Sequence, residues 1–425
     1  MNILIRNATI LTMDSEELVK GNIGIEKDRI AFIGNKPETF EADYEIEAEE
    51  HLAMPGLVNA HTHSAMSLLR NYADDIPFWE WLTEKVWPIE EKMNDKDVYW
   101  GTMISIAEMF RSGTTAYADM YFHSEETAKA SCEAGIRCSV AKGLIGSSEE
   151  DEKLFADTRG IHRDWNGAGD GIITVMAGPH APYTCDPGFL HKVMDLCAEL
   201  RMPLHIHLSE SEKEVEESIK KFGKSPIAHV HALGLFQHHT LAAHCVHLVP
   251  GDISLLKEGG VHVAHNPLSN LKLGNGTAPV TEMHQAGINL SIGTDSSCSN
   301  NNLNLFEEMK MASLLAKGRT ADSTVLSAFE TLKMATINGY KALNLDESLG
   351  KLKAGSKADL ILIDMNQPHW YPHQNLKSSL VYSSQGSDVS TVIVNGKIVM
   401  EKRELKTIDL QRVKYESDKI VDRIY

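Results

Sequence analysis

The sequence predicts an α/β protein: a TIM-like (β/α)8 barrel carrying a small β-sandwich domain formed by the N- and C-terminal segments. Three observations predict it. Between residues 54 and 345, eight short apolar runs alternate with longer amphipathic stretches. Both ends of the chain instead alternate apolar and polar residues one by one, with Gly and Asn at the turns. Histidines and acidic residues stand where the apolar runs stop, and a barrel of this kind keeps its site at the C-terminal ends of its strands.

The N-terminal piece, residues 1–53, opens with M-N-I-L-I-R-N-A-T-I-L-T and continues through I-G-I-E-K-D-R-I-A-F-I-G. A period of two over such lengths reads as strand. The barrel, residues 54–345, begins with the run that ends at His61 and His63. It continues through runs near 114–119, 138–145, 172–177, 203–207, 240–244, 261–265 and 288–295. Helical stretches such as 211–222 and 304–317 lie between them, and Ser211 with Glu214 forms a capping box at one helix start. Strands alternating with helices imply a parallel sheet, and eight repeats over about 290 residues suit a closed barrel better than a doubly wound sheet. The C-terminal piece, residues 346–425, returns to period two in A-D-L-I-L-I-D and V-I-V-N-G-K-I-V. Neither end alone has enough strands for a stable sheet, so the two are expected to pair and bring the termini together. Asp409 to Tyr425 reads as a helix packed on the outside of that β domain.

Composition excludes several classes. A formal charge of −18 disfavours phosphate backbones, so no nucleic-acid partner is expected and the substrate should be small and neutral or cationic. No apolar run approaches the ~18 residues that span a bilayer, so no membrane partner is expected. The first residues lack a basic stretch and a small-residue cleavage site. The six cysteines, Cys132, Cys138, Cys185, Cys197, Cys245 and Cys298, are scattered without a C-x-x-C. They read as reduced thiols, and together these features predict a cytoplasmic address.

His61-Thr62-His63 carries the most chemistry. Residues two apart on a strand point to one face, so two imidazoles converge at a strand end and make half of a transition-metal site. With 20 His in the chain, about one H-x-H is expected by chance, and there are three. His229/His231 has helical period and is set aside. His207 ends the fifth run and offers a third imidazole, while His205 lies one layer deeper as core or support. Glu210 falls in the loop before the helix at Ser211, where it either leans over the barrel mouth or decorates the helix dipole. Asp295 follows the eighth run as a ligand or a turn aspartate, and His244 ends the sixth run as a site or core histidine. Asp119 and His123 stay unassigned. Three His and one Asp suit Zn2+ first and Fe2+ second, with water in the open position. A second metal would need a bridging carbamylated lysine; the fourth run has no lysine and Lys142 is the only nearby substitute, which favours one ion.

M-P-G-L-V-N-A-H-T-H, P-L-H-I-H-L-S-E, A-A-H-C-V-H, H-N-P-L-S-N-L-K-L-G and S-I-G-T-D-S-S-C-S-N-N resemble the amidohydrolase superfamily, and within it the 5-methylthioadenosine/S-adenosylhomocysteine deaminase family. The resemblance spans nearly the whole chain, including G-K-L-K-A-G-S-K-A-D-L-I-L-I-D near the end.

This resemblance implies one divalent metal per subunit held by His61, His63, His207 and Asp295. It implies a proton-shuttling role for Glu210, a positioning role for His244 at the attacking oxygen, and proton acceptance by Asp295. Glu90 in V-W-P-I-E-E matches the residue that binds the ribose hydroxyls, His180 in G-P-H-A-P-Y a second sugar-side contact, and Trp81 a wall or stacking surface. Arg159 and Arg163 are candidates for the far end of the substrate. The implied reaction is hydrolytic deamination of an adenine nucleoside (5'-methylthioadenosine, S-adenosylhomocysteine or adenosine) to the inosine analogue and ammonia, by a homo-oligomer. Competing readings are a guanine or cytosine deaminase, a triazine chlorohydrolase, or a barrel that serves as a non-catalytic scaffold.

Overall fold

The computed structural model describes residues 1–146 and 151–425. Two sheets organise it. In the first, strands β1 (Asn2–Leu11), β2 (Leu18–Glu26), β3 (Arg29–Gly34), β4 (Tyr44–Glu47) and β5 (His51–Pro55) come from the N-terminal end. The second contains β6 (Leu57–Thr62), β7 (Thr114–Tyr121), β8 (Arg137–Leu144), β9 (Ile173–Pro179), β10 (Leu204–Leu208), β11 (Thr240–His244), β12 (His262–His265) and β13 (Asn289–Ile292). The chain then returns to the first sheet with β14 (Leu360–Asp364), β15 (Val389–Val394), β16 (Lys397–Glu401) and β17 (Glu404–Leu405).

Strands β6 to β13 pair in sequence order, each parallel to the next, as the strand–helix alternation requires. Alternation along them separates two cores. Ala116, Ala118 and Met120 pack with Ala141, Met176, Leu241 and Ala264, while Tyr117, Val140, Val175, Ala242 and Val263 join the large cluster shared with the helices. No backbone ladder joins β13 to β6. The rim is closed instead by the Asn59 side chain, which donates to Thr294 Oγ1 at 2.7 Å and accepts from the Thr294 N–H at 2.9 Å. The Asp295 N–H adds a bond to the His61 carbonyl at 2.9 Å.

The terminal segments do pair, through β5 and β14, whose antiparallel register runs from Leu360 opposite Pro55 to Asp364 opposite His51. The result is one nine-stranded mixed sheet, in which β4 lies alongside β1. It folds over a core containing Ile3, Ile5, Ile10, Ile23, Ile25, Leu360, Leu362 and Ile393. The opposite face of β14, Ile361 and Ile363, packs into the barrel's own cluster. A buried ion pair links the two sheets: Arg137 of β8 meets Asp359 at 2.5 and 2.9 Å and also donates to Asn395 Oδ1 at 2.9 Å.

Two sequence expectations change. The final helix, Leu410–Ile424 with Asp409 as its cap, does not sit on the outside of the β domain. Its last turns, Ile420 and Ile424, pack with Leu68, Leu69, Met93 and Val98 beside the barrel helix Asp95–Arg111. The helix has only one apolar stripe, and the barrel's flank offers the matching apolar surface. The capping box at Ser211 is also half made. Ser211 Oγ accepts from the Glu214 N–H, but the Glu214 carboxylate turns to the N–H groups of Ser209 and Glu210.

Candidate active site

The site is built at the C-terminal ends of the barrel strands. Thr62, the last residue of β6, has its hydroxyl 2.8 Å from both Ala118 O and Asp119 Oδ1, and Asp119 Oδ1 accepts from the Ser64 N–H at 2.6 Å. Asp119 therefore fixes the bend that carries His63 over the barrel mouth, and it is not among the residues lining the pocket.

Three imidazoles converge there. His63 Nδ1 donates to Met120 O at 2.6 Å and His207 Nδ1 donates to His180 O at 2.7 Å. In the neutral tautomer that these bonds select, the Nε2 atoms carry the lone pairs, and they face each other at 3.2 Å. Two opposed lone pairs at that distance call for a cation between them. His61 is completely buried, with Nδ1 2.8 Å from His205 Nε2 and Nε2 lacking a hydrogen-bond partner. His205 thus stands behind His61 as support. Asp295 Oδ1 lies 3.5 Å from His61 Nε2 and 3.4 Å from His63 Nε2. The ligand atoms of His61, His63 and Asp295 lie within 4.8 Å of one another, as do those of His61, His207 and His244. Both groups share His61, so among the described residues the donors describe one centre. Nitrogen and carboxylate donors in this mixture suit a divalent transition ion.

Burial sets the protonation states. It pushes the His61 imidazole down to about 3 and holds His205 and His207 well below the ordinary histidine value. All three are neutral, as His61 and His207 must be if they are to hold a metal. Asp295 is three residues beyond the strand that was expected to end with it, in a left-handed turn with φ +62°. Its Oδ2 accepts from the Ser269 and Ser299 hydroxyls at 2.6 and 2.9 Å, leaving Oδ1 towards the histidines.

Glu210 is buried beside this centre. Its Oε1 accepts from Asn275 Nδ2 at 2.9 Å, and its Oε2 lies 3.8 Å from His244 Nε2. Burial, with the Asp295 charge, pushes its carboxyl up to about 8, so it holds a proton at neutral pH. His244 Nδ1 donates to Asn270 Oδ1 at 2.9 Å, which leaves Nε2 turned to Glu210.

A pocket opens above these groups, and Trp81, Glu90 and His180 all line it. Trp81 and Glu90 belong to one wall, a helical segment from Phe78 to Glu90 with a wide π-helical stretch at Trp81–Val86. A π turn presents residues five apart on one side, and Trp81 and Val86 both reach the pocket. Glu90 Oε1 accepts from the Tyr121 hydroxyl at 2.7 Å, and burial raises its carboxyl. His180 Nδ1 lies 2.9 Å from Thr184 Oγ1, and burial pushes its imidazole down to about 4.

Other residues fall elsewhere. His123 is outside the pocket and pairs with Asp95. Arg159 and Arg163 are exposed on the helix Asp151–Trp165, paired with Glu199 and Asp164, and neither lines the pocket. The residues meant for a substrate tail are thus surface ion pairs. Lys142 is paired with Asp157 at 3.1 Å. His229 and His231 lie on the helix Pro226–Leu233. Sequence reasoning gave no role to Asn270, Asn275, Ser269, Ser299 or Tyr121. The first four stand inside or just after two of the quoted motifs, H-N-P-L-S-N-L-K-L-G and S-I-G-T-D-S-S-C-S-N-N, and that proximity was the available signal.

Comparison with known proteins agrees with this geometry. Residues 52–399 match the amidohydrolase family. The chain is 50% identical over 422 residues to the 5-methylthioadenosine/S-adenosylhomocysteine deaminase of Caldanaerobacter subterraneus subsp. tengcongensis, covering 99% of this chain and 98% of that one. It is 50% identical over 414 residues to the protein of the same name from Moorella thermoacetica, with 97% of each covered. Among solved structures, an adenosine deaminase from Xanthomonas campestris with bound zinc superposes with a TM-score of 0.95 at 33% identity, covering 99% of this chain and 98% of that one. A zinc-complexed atrazine chlorohydrolase from Arthrobacter aurescens, at 23% identity and TM-score 0.91 over 99% of this chain and all of that one, shares the fold. With the family pattern running through both sheets and relatives matching end to end, the chain belongs to the amidohydrolase family, on the branch of the 5-methylthioadenosine/S-adenosylhomocysteine deaminases.

Proposed function

We propose that this protein is a metal-dependent hydrolase that deaminates adenine nucleosides, namely 5'-methylthioadenosine, S-adenosylhomocysteine and adenosine, to the inosine analogue and ammonia. The observation that carries it is the buried Glu210 beside the converging donors of His61, His63, His207 and Asp295, in a chain half identical to named deaminases. The quartet would hold one divalent ion, Zn2+ or Fe2+. Such an ion supplies Lewis acidity and lowers the pKa of a water it holds from ~15.7 towards ~7.

The rest is the work of side chains. Glu210 donates its proton to N1 of the purine, which draws electrons from C6 and opens that carbon to water. Asp295, held ionised by its surroundings, takes the proton that the attacking water gives up. His244 steadies the oxygen as the C6–O bond forms. The C6–N bond then breaks as Asp295 passes its proton to the amino group, which leaves as ammonia, and the C6 hydroxyl proton returns to Glu210 as the carbonyl of the inosine analogue forms. Glu90 faces the ribose hydroxyls as an acceptor, His180 contacts the sugar from the other side, and Trp81 closes the pocket against water.

Ammonia release from 5'-methylthioadenosine, S-adenosylhomocysteine, adenosine, guanine, cytosine and a chlorinated triazine tests the reading. Turnover should be confined to the three adenine nucleosides; release from another heterocycle with none from these would overturn it. Glu210→Gln should retain its metal and lose about 10²–10⁴-fold in kcat, the range for removing a general acid–base group.

A further inference from the structure

We propose that Glu214 is a positioning residue that sets the place of Glu210. Glu214 is the third residue of the helix Glu212–Phe222, where a glutamate ordinarily folds back to the N–H of the cap residue. Here it reaches past the cap. One carboxylate oxygen accepts from the Ser209 N–H at 3.0 Å and the other from the Glu210 N–H at 2.7 Å. The side chain is buried, with 2% of its surface exposed, so these bonds exclude water.

The segment it grips needs holding. Ser209 adopts a left-handed conformation, φ +52°, which a serine does not favour. The Ser209 carbonyl accepts from the N–H groups of Val246 and His247, and the Leu208 carbonyl from that of Cys245, tying this loop to the one after His244. His244 and Cys245 are themselves left-handed, with φ +75° and +48°. Two strained loops thus lean on each other, and one bidentate carboxylate satisfies the two buried N–H groups between them. A carboxylate has two acceptors for two donors. An amide has one acceptor and one donor group, so it must turn an NH2 against one of the N–H groups.

The inference rests on the reading of Glu210 as the proton carrier, and a double-mutant cycle separates the two. Glu214→Gln should lower kcat at least tenfold, leave KM for 5'-methylthioadenosine within about twofold, and leave bound metal and the circular-dichroism spectrum unchanged. In a Glu210→Gln background the same change should cost less than twofold, because a residue acting only through Glu210 has nothing left to place. Equal losses in both backgrounds, or a Glu214→Gln enzyme with full kcat, would overturn the proposal. Full turnover in Glu210→Gln alone would instead sink the assignment of Glu210. If Glu214→Gln does not fold, Glu214→Asp enters the same cycle with the same two outcomes; it keeps the charge but is a methylene too short to reach both donors.

Discussion

At Asp295, burial and charge pull in opposite directions. Burial by itself would raise the carboxyl, but the surrounding imidazoles, His61 first and then His63 and His244, hold it well below the usual carboxylate range. Two hydroxyls then choose which oxygen is free: Ser269 and Ser299 occupy Oδ2, and Oδ1 is left to the imidazoles. Groups that orient a metal ligand from behind are commonly worth 10–100-fold in metal affinity. Ser269→Ala should therefore weaken binding of the ion by about that factor, measured by competition with a chelator. An unchanged affinity would show that Ser299 alone suffices.

The strands use their two ends differently. Where the C-terminal ends gather the candidate metal donors, the opposite ends hold a second pair of histidines with a structural part. His239, just before β11, stacks on His262, the first residue of β12, with ring centres 4.4 Å apart. His239 Nε2 bonds to the Ala342 carbonyl, and Lys341 stands near both rings. Burial, with the neighbouring His239 and Lys341, pushes the His262 imidazole down to about 3. The folded protein thus refuses a proton that the unfolded chain accepts below about pH 6.5, so stability is full above that pH and is lost as pH falls towards 3. One such proton costs about 1.4 kcal/mol per pH unit, or about 2 kcal/mol between pH 6.5 and 5. Urea unfolding at pH 7 and pH 5 should show His262→Gln losing about 2 kcal/mol less than the parent. Equal losses would mean that the imidazole is protonated in the native state.

The barrel as a whole depends on a narrow seam. Because no ladder joins β13 to β6, Asn59, Thr294 and the Asp295 N–H draw the first and last strands together, and the same contact sets Asp295 against His61. Gly293 permits the approach: a Cβ there would lie 2.8 Å from the His61 backbone nitrogen and also meet Asn266 Oδ1. Gly293→Ala should part the rim and lower metal affinity at least tenfold. Gly318→Ala, with nothing within 4 Å of the added carbon, should leave affinity unchanged. If both variants bind metal like the parent, the seam is not what aligns the ligands. No helix among the described residues is long and apolar enough to cross a membrane.

Periodicity and residue type were enough to read eight parallel strands, the pairing of the two chain ends, and the side chains that crowd the barrel mouth. These depend on repeats of two and 3.6 residues and on punctuation, which act between near neighbours. Glu90, His180 and Trp81 had no such signal. Their place follows from a π-helical wall and a strand end folded over the mouth, and only a motif resemblance pointed to them. Three matters belonged to the tertiary structure alone. The last helix settled on the barrel's flank because its one apolar stripe found an apolar partner there. Glu214 left its cap because two buried N–H groups in a neighbouring loop had no other acceptor. Asp295 left its strand because the closing seam required a turn at that point. The first and last were decided by contacts between segments distant in the chain, and the second by a loop that such contacts hold in place, so that no local pattern records their free energy.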